Sequence, residues 1–304
     1  MPLDPDNAAF LEAAARKPAK PLSETSVAEM RAGVEALIPL GFDREDVAST
    51  RDDTVDGVLV RTYRPVEEIG VTVLWLHGGS FTRCGLHTHD TLLRRFANRS
   101  CCEVVAPDYT LAPEARYPRQ LDEAGAVARW LARRDPDKRR YLAGESSGGC
   151  LAAASALRER DRGELVLDGL LLVLPVLDRD SRTTSRRELA ADYMLTDEQM
   201  HWMFDQYAPD AAADDAYAQP FRATDLSGLP HTMVVTAEYD PLRDEGEAFA
   251  TRVRDAGGSA EDLRIPGITH HAVLVPQAIP AGADVIDRAA ALVRAHATTA
   301  SNRV

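Results

Sequence analysis

The segment around Ser146 has the residue types and the spacing of a serine nucleophile. Gly144 and Gly148 flank Glu145-Ser146-Ser147, which gives a G-x-S-x-G pattern. This pattern marks a nucleophile when a strand precedes it and a helix follows it, because the sharp turn between them lifts the serine hydroxyl out of the sheet. The flanking glycines carry no side chain that would collide in that turn. The pattern predicts that Ser146 attacks an acyl carbonyl.

A glycine-rich loop upstream could stabilise the product of that attack. The sequence HGGSF begins at His77 and follows an apolar run over 71–76. A tetrahedral intermediate carries a negative oxygen that preorganised donors must meet. We predict that the backbone amides of Gly78 and Gly79, together with the amide of Ser147, form this oxyanion hole. His77 is expected to support the loop rather than to transfer a proton.

A serine nucleophile needs a general base, and the base needs an acid that orients it. Asp240 follows an apolar stretch over 232–237, so it lies at the carboxyl end of a predicted strand, where active sites of parallel sheets lie. Glu238 and Asp244 are the alternatives. Asp240 could instead cap the helix that follows it.

The base is expected after the acid in the chain, because folds with this nucleophile turn place their residues in the order serine, acid, histidine. His270, His271 and His296 remain. His296 falls near the end of a predicted helix, where a solvated side chain is the simpler interpretation. His270 and His271 both follow a predicted strand and a Pro-Gly turn, and spacing alone does not separate them.

The elements that must position these residues alternate along most of the chain. Apolar runs predict strands, and amphipathic or alanine-rich stretches predict helices. The strands are predicted at 58–63, 71–76, 103–107, 140–143, 167–177, 232–237 and 261–265. The helices are predicted at 91–99, 121–134, from 146 onward, 242–256 and 281–296. This alternation indicates an α/β fold with a mostly parallel central sheet and helices on both faces.

Two helical regions interrupt the alternation and predict a cap above the sheet. We predict an N-terminal helical cap segment over 1–46, a first core part over 47–180, a cap insertion over 181–228 and a second core part over 229–304. Aromatic and methionine side chains in the insertion are candidates for the underside of this cap.

Composition limits the partners. The net charge is −13, which disfavours nucleic acid and anionic membranes. The N-terminal sequence MPLDPDN has acids where a signal peptide carries bases, and the four cysteines form no disulfide framework, so a cytoplasmic protein is expected. The predicted partner is a small-molecule ester. The sequence leaves a homodimer open.

The run HTHD over 87–90 contains metal-ligand residue types, but their spacing does not suit a metal site. It lacks the spacer and the further histidine that an H-x-H-x-D-H metallohydrolase site needs. Asp90 fits better as the entry to a helix. We therefore expect neither a metal nor another cofactor.

Several motifs occur together in an order that resembles one enzyme family. They are HGG at His77, DYTLAPE at Asp108, GESSGG at Gly144, LSGLP at Leu226 and DPLRDEG at Asp240. In this order, over about residues 71–275, the chain resembles the bacterial carboxylesterase branch of the hormone-sensitive-lipase-like family of α/β-hydrolases. The resemblance implies the α/β-hydrolase fold with a helical cap.

The resemblance also implies the site residues. The family places its histidine shortly after the turn glycine, here Gly267, so Ser146, Asp240 and His270 are implied as the catalytic triad. Gly78, Gly79 and Ser147 are implied as oxyanion donors. Two departures stand out: Ser80 replaces the third glycine of the family's HGGG loop, and His271-Ala272 replaces its usual Gly-Phe.

The function predicted from these residues is hydrolysis of small, short- to medium-chain carboxylic esters through an acyl-enzyme intermediate. An amide deacylase with the same triad is the alternative, because ester and amide hydrolysis differ mainly in protonation of the leaving group. A non-catalytic small-molecule receptor is less favoured, because receptors that resemble this family have lost the histidine that His270 supplies.

Overall fold

The computed structural model describes residues 1–16 and 20–301 and contains one eight-stranded sheet. The strands are β1 (Ser49–Val55), β2 (Val58–Arg64), β3 (Val71–Leu76), β4 (Glu103–Pro107), β5 (Arg139–Glu145), β6 (Gly169–Val173), β7 (His231–Tyr239) and β8 (Ala260–Thr269). Their order in the sheet is β1-β2-β4-β3-β5-β6-β7-β8. Only the pairs β1–β2 and β2–β4 are antiparallel, so the predicted mostly parallel sheet is confirmed.

Helices cover both faces of this sheet. They are α1 (Pro5–Ala15), α2 (Val27–Glu35), α3 (Leu86–Ser100), α4 (Arg119–Arg134), α5 (Ser147–Arg162), α6 (Thr184–Leu189), α7 (Asp197–Tyr207), α8 (Arg243–Asp255) and α9 (Ala283–Ser301). Side chains alternate across a strand. In β3, therefore, Val73 and Trp75 enter the core beneath α3 and α9, while Leu74 and Leu76 enter the core beneath α4, α5 and α8.

Two elements differ from the sequence prediction. Strand β1 was not predicted, because its residues are mostly polar and exposed at the edge of the sheet. Helix α3 begins at Leu86 rather than at residue 91, because the Thr88 hydroxyl accepts a hydrogen bond from the Gly85 amide at 3.0 Å and closes the first turn earlier. The prediction that Asp90 begins the helix was therefore wrong. Asp90 lies inside α3 and pairs with Arg94 at 2.8 Å.

Two helices outside the alternating pattern, α2 and α7, meet at a cavity beside the carboxyl end of β5. Side chains of α2 and of the segment that contains α7 line one cavity over Ser146. The division into core and cap stays a prediction. Residues 17–19 and 302–304, which belong to the predicted segments 1–46 and 229–304, lie outside the described residues. In the described part of the chain, none of the helices has the length and apolar composition needed to cross a membrane.

Candidate active site

Ser146 occupies the turn between β5 and α5. Its backbone has φ 55° and ψ −120°, a conformation that non-glycine residues adopt rarely and at an energetic cost. A Cβ on Gly144 would collide with the Gly148 carbonyl, and one on Gly148 would collide with the Leu76 carbonyl. The two glycines are therefore required for the sharp turn, as the sequence predicted.

Ser146, His270 and Asp240 form a continuous hydrogen-bonded chain. His270 Nε2 lies 3.0 Å from Ser146 Oγ, and His270 Nδ1 lies 2.7 Å from Asp240 Oδ2. Asp240 is 1% exposed and His270 is 8% exposed, while Ser146 is partly open to the cavity. Such a chain can pass a proton from the serine hydroxyl to the imidazole.

The carboxyl ends of three parallel strands, two of them adjacent, bring these side chains together. Ser146 follows β5, Asp240 follows β7 and His270 follows β8. The carboxyl ends of parallel strands meet at one edge of the sheet, so residues far apart in the chain converge there. Asp240 also accepts a hydrogen bond from the Leu242 amide at 2.9 Å, so the alternative of a helix-entry role for this aspartate is compatible with its contact to His270.

A buried asparagine in α1 fixes the strand end that carries His270. Asn7 Oδ1 accepts hydrogen bonds from the Thr269 amide at 2.9 Å and from the Thr269 hydroxyl at 3.1 Å. Both side chains are almost fully buried. No local sequence pattern indicates this contact, because 262 residues separate the partners.

The alternative acids bond elsewhere. The Glu238 carboxylate accepts hydrogen bonds from the N-terminal amine and from the Gly267 amide, although it lies in β7 only two residues before Asp240. The Asp244 carboxylate accepts from the Ser185 amide at 2.7 Å and from Arg243 at 2.8 Å. Neither carboxylate contacts a histidine, so of the three acids only Asp240 meets the candidate base.

The two alternative bases, His271 and His296, make their contacts with residues other than Ser146. His296 bonds the Tyr141 hydroxyl at 2.6 Å and stacks on His231, at the opposite end of the strands. It is therefore a partnered side chain rather than the solvated one that was expected. His271 lies edge-on to His270, and its Nδ1 is buried with no partner among the described residues. Burial, followed by the neighbouring His270 and Arg83, lowers the pKa of His271 to about 3.

The oxyanion loop differs from the prediction at Gly78. The Gly78 amide donates to Glu145 Oε1, so its single hydrogen is already bonded to that carboxylate. Among the described residues, the amides of Gly79 and Ser80 donate to no protein acceptor. The amide of Ser147, the first residue of α5, has no acceptor in its own helix. The prediction that Gly78 is an oxyanion donor therefore conflicts with the structure.

Glu145 holds that loop against the nucleophile turn. Its carboxylate accepts from Trp75 Nε1 at 2.7 Å and from the Gly78 amide, and it contacts His89 Nε2 at 2.6 Å. Burial raises the pKa of Glu145, but His89 and the hydrogen bonds outweigh burial, and the net pKa is lowered. A Cβ on Gly78 would lie 2.9 Å from this carboxylate, so only glycine fits here without displacing it.

His77 supports the same loop, in agreement with the expectation from the sequence. Its ring stacks on Tyr109 with 4.2 Å between the ring centres, and its Nδ1 lies 2.7 Å from the Gly78 carbonyl. Tyr109, from the DYTLAPE motif, donates its hydroxyl hydrogen to the His77 carbonyl at 2.7 Å. Burial, followed by His89, lowers the pKa of His77 to about 4, so this ring stays neutral at pH 7.

The cavity above Ser146 has a volume of about 220 Å³. Its apolar wall combines α2 with the 194–203 segment, and it includes Met30, Val34, Leu37, Met194, Leu195 and Met203. Phe204 and Tyr207, also considered for the underside of the cap, instead pack on Phe81 beneath the cavity. A larger surface cavity near Trp130 and Arg134 contains no serine–histidine pair.

Both histidines of the HTHD run bond to glutamate side chains of other elements. His87 bonds Glu35 of α2 at 2.5 Å, and His89 bonds Glu145. Within residues 1–16 and 20–301, no three histidine, cysteine or acidic side chains cluster in a way that could hold a metal ion.

The chain is similar to known hydrolases over most of its length. A family described as the alpha/beta hydrolase fold matches residues 73–274. An ethyl acetate hydrolase from Pseudomonas putida is 33% identical over 292 residues, which covers 89% of this chain and 92% of that protein. An arylesterase from Saccharolobus solfataricus is 31% identical over 285 residues, with coverage of 89% and 92%. The structure of a hyperthermophilic esterase from Pyrobaculum calidifontis is similar with a TM-score of 0.88 and 33% identity, covering 97% of this chain and 99% of that one. The chain belongs to the hormone-sensitive-lipase-like family of α/β-hydrolases.

Proposed function

We propose that the protein is a serine carboxylesterase that hydrolyses small carboxylic esters through an acyl-enzyme intermediate. The observation that carries the proposal is the hydrogen-bonded chain Ser146–His270–Asp240, whose serine end opens into a small, mostly apolar cavity. The similarity to ester hydrolases over nine-tenths of the chain supports ester hydrolysis over other acyl-transfer reactions.

In the proposed first half-reaction, Ser146 Oγ attacks the ester carbonyl while His270 Nε2 takes the hydroxyl proton. Asp240 holds the imidazole with its Nδ1 hydrogen toward the carboxylate and stabilises the imidazolium that forms. His270 then gives the proton to the departing alcohol. In the second half-reaction, His270 activates a water molecule that attacks the acyl-enzyme and releases the carboxylic acid.

The negative oxygen of each tetrahedral intermediate is proposed to bind the amides of Gly79, Ser80 and Ser147. Two of these, Gly79 and Ser147, were predicted from the sequence, and Ser80 takes the place first given to Gly78. The Gly78 amide is committed to Glu145, whereas Gly79 and Ser80 lie partly exposed at the cavity wall. Losing one such donor typically costs about 10²- to 10³-fold in kcat.

A short- to medium-chain substrate is proposed from the size and the walls of the cavity. Its volume of about 220 Å³ lies below the ~300–1,000 Å³ of most small-molecule sites. The methionines on its wall are flexible side chains that adapt to different apolar groups. A helical cap formed by the N-terminal helices and the 181–228 insertion is part of the same proposal. The cytoplasmic location and the homodimer stay predictions.

The test is the rate of hydrolysis of 4-nitrophenyl acetate, butyrate, octanoate and laurate. The wild type is expected to prefer the shorter esters. Ser146→Ala and His270→Ala should each lower kcat by about 10⁴-fold or more, because each removes a member of a group that acts as one unit. Release of 4-nitrophenol gives the rates directly.

Ser155→Ala is the matched control for the serine variant. Ser155 lies in α5, two turns beyond the nucleophile, and its buried hydroxyl has no partner among the described residues. This variant should keep the wild-type rate. A wild type that is inert on every ester would contradict the proposal and would favour the amide deacylase, which acyl 4-nitroanilides would then test.

A further inference from the structure

One arginine faces the cavity without a carboxylate partner. Arg83 lines the cavity that contains Ser146 and His270, and it is partly buried. Its guanidinium donates to Ser80 Oγ at 3.2 Å. No ion pair involves Arg83 among residues 1–16 and 20–301, in which most arginines pair with an acid. A partly buried guanidinium without a counter-charge leaves part of its desolvation cost uncompensated.

The loop that carries Arg83 holds it in a defined place. The Arg83 amide donates to the Gly79 carbonyl at 3.0 Å, and Arg31 of α2 donates to the Thr82 carbonyl at 2.8 Å. Ser80 and Cys84 have positive φ angles of 55° and 71°, so the loop is tightly coiled. The guanidinium is thus anchored a few residues from the proposed oxyanion donors.

The neighbouring titratable groups do not supply the missing negative charge. The Glu145 carboxylate is bonded to Trp75, His89 and the Gly78 amide. Burial raises the pKa of the Cys84 thiol to about 12, so it stays protonated. His271 beside Arg83 is neutral, because burial and the adjacent charges lower its pKa to about 3.

We infer that the substrate is an ester that carries a free carboxylate, and that the Arg83 guanidinium binds this carboxylate inside the cavity. The inference rests on the proposed ester hydrolysis and adds the substrate class. A carboxylate matches the planar fork of an arginine with two parallel hydrogen bonds, which makes the pair selective as well as strong. A cavity of about 220 Å³ then limits the substrate to a short hemi-ester or a short acyloxy acid.

The overall charge of the protein does not explain a preference for an anionic over a neutral ester. The net charge is −13, so the overall field repels an anionic substrate. A preference for the anion therefore has to arise from a local positive group. Within the described lining of the cavity, Arg83 is the only arginine or lysine.

The test compares two matched pairs of esters that differ only in the carboxylate. Monomethyl succinate carries the carboxylate on the acyl side, and methyl levulinate replaces it with a methyl ketone of similar shape. Acetoxyacetate carries the carboxylate on the alcohol side, and acetoxyacetone is its neutral partner. Acid release is followed by titration at constant pH, and the readout is the ratio of kcat/KM values, anionic over neutral, within each pair.

The wild type should favour the carboxylate member of one pair by about tenfold or more, and the pair that shows the preference identifies the side of the ester that faces Arg83. Arg83→Met should lower that ratio by about 10- to 100-fold, mainly through KM, because the salt bridge also forms with the bound substrate. Arg83→Lys keeps the positive charge but loses the two parallel donors of the guanidinium. Its ratio should therefore lie between those of the wild type and Arg83→Met. Arg254→Met changes an exposed arginine of α8 that pairs with Asp262, and it should leave the ratio unchanged.

Equal kcat/KM values within both pairs of the wild type would overturn the carboxylate inference while leaving ester hydrolysis intact. An unchanged ratio in a folded Arg83→Met would overturn the assignment to Arg83. The wild-type comparison needs no variant, so it remains decisive if Arg83→Met fails to fold. Failure to hydrolyse these esters and 4-nitrophenyl acetate alike would instead contradict the proposed function.

Discussion

Two buried carboxylate–histidine pairs lie on opposite sides of Ser146. Asp240 and His270 meet at 2.7 Å on the side of β7 and β8, and Glu145 and His89 meet at 2.6 Å on the side of the oxyanion loop. All four residues are at most 8% exposed. The pairs contain the same functional groups at nearly the same distance, yet only one of them contacts the Ser146 hydroxyl.

The third partner of each histidine explains the difference. The second nitrogen of His270 faces Ser146 Oγ at 3.0 Å, beside the cavity. The second nitrogen of His89 faces the Thr88 hydroxyl at 2.9 Å, within the first turns of α3. The Glu145 carboxylate also accepts hydrogen bonds from Trp75 Nε1 and from the Gly78 amide. A carboxylate–histidine pair thus becomes a proton carrier only where its outer nitrogen meets a nucleophile, and elsewhere it holds backbone in place.

The largest effect should come from breaking the first pair. Asp240→Asn keeps an oxygen for the Leu242 amide but directs an N–H group at His270 Nδ1. The imidazole would then carry its proton on Nε2, where it cannot accept the Ser146 proton. We expect kcat to fall by about 10⁴-fold with the melting temperature nearly unchanged. Ester turnover and calorimetry measure the two quantities.

Asp244→Asn is the matched control for this substitution. Asp244 lies four residues further along, and its carboxylate bonds Ser185 and Arg243 rather than a histidine. Its kcat should stay within about threefold of the wild type. A similar loss of kcat in both variants would contradict the assignment of the acid to Asp240.

Breaking the second pair should cost stability first and rate second. Glu145→Gln removes a carboxylate to which Trp75, His89 and Gly78 are bonded, so at least one buried donor loses its acceptor. We expect the free energy of unfolding to fall by about 2–4 kcal/mol, since an unpaired buried group pays its full desolvation cost. We also expect kcat to fall by about 10- to 100-fold as the oxyanion loop shifts. Urea denaturation and ester turnover test the two expectations.

Glu103→Gln separates these two effects. Glu103 is equally buried at the start of β4, and it pairs with Arg64 and Arg134 at the far end of the strands. Its loss should destabilise the protein and leave kcat within about threefold. If Glu145→Gln were to lower stability without lowering kcat, the loop-holding role of Glu145 would be wrong.

Another buried carboxylate, that of Glu245 in α8, sharpens the comparison because it bonds to no histidine among the described residues. It accepts the Leu177 amide at 2.7 Å, and its other oxygen has no partner among the described residues. Burial raises the pKa of Glu245 to about 8, from 4.5 in the unfolded chain, whereas the pKa of the paired Glu145 is lowered. At Glu245, the folded protein therefore binds more protons than the unfolded chain between pH 4.5 and about 8.

The raised pKa of Glu245 determines how the free energy of unfolding changes with pH. The contribution of Glu245 to the free energy of unfolding should fall by about 1 kcal/mol per pH unit as the pH rises from about 5 to 8. The contribution of Glu145 runs the other way and is lost as the pH falls below the unfolded value of 4.5. Urea denaturation of the wild type and of Glu245→Gln across this pH range measures the contribution of Glu245 to the free energy of unfolding. A stability difference independent of pH would show that Glu245 is ionised in the fold.

Local patterns were sufficient to predict the α/β fold and to propose Ser146 as the nucleophile and Asp240 as the acid. The G-x-S-x-G turn is a local motif whose two glycines the backbone itself requires. The position of Asp240 and His270 after successive strands follows from the βα alternation, because parallel strands end at one edge of the sheet. Sequence spacing did not distinguish His270 from His271, so this choice needed the family resemblance. Two consecutive side chains point in different directions, and spacing does not show which of them faces Ser146.

Contacts between distant segments could not be predicted from the sequence. Glu145 stands 67 residues from Gly78, and nothing local shows that its carboxylate captures the amide expected to bind the oxyanion. Asn7 reaches Thr269 from the other end of the chain. Nothing in the sequence shows that Arg83 lines the cavity and forms no ion pair with any described acid. Each depends on which loops meet over the sheet, which composition and periodicity do not encode.

The most direct test of the account is covalent labelling with a fluorophosphonate ester, followed by peptide mass spectrometry. Phosphonylation needs an activated serine but no knowledge of the natural substrate. We expect a single label on the peptide that contains Ser146, formed more slowly by about 10³-fold or more in His270→Ala and by no more than about 100-fold in folded His89→Gln. A label on another serine, or equal labelling rates in the wild type and His270→Ala, would contradict the assignment of the nucleophile and its base.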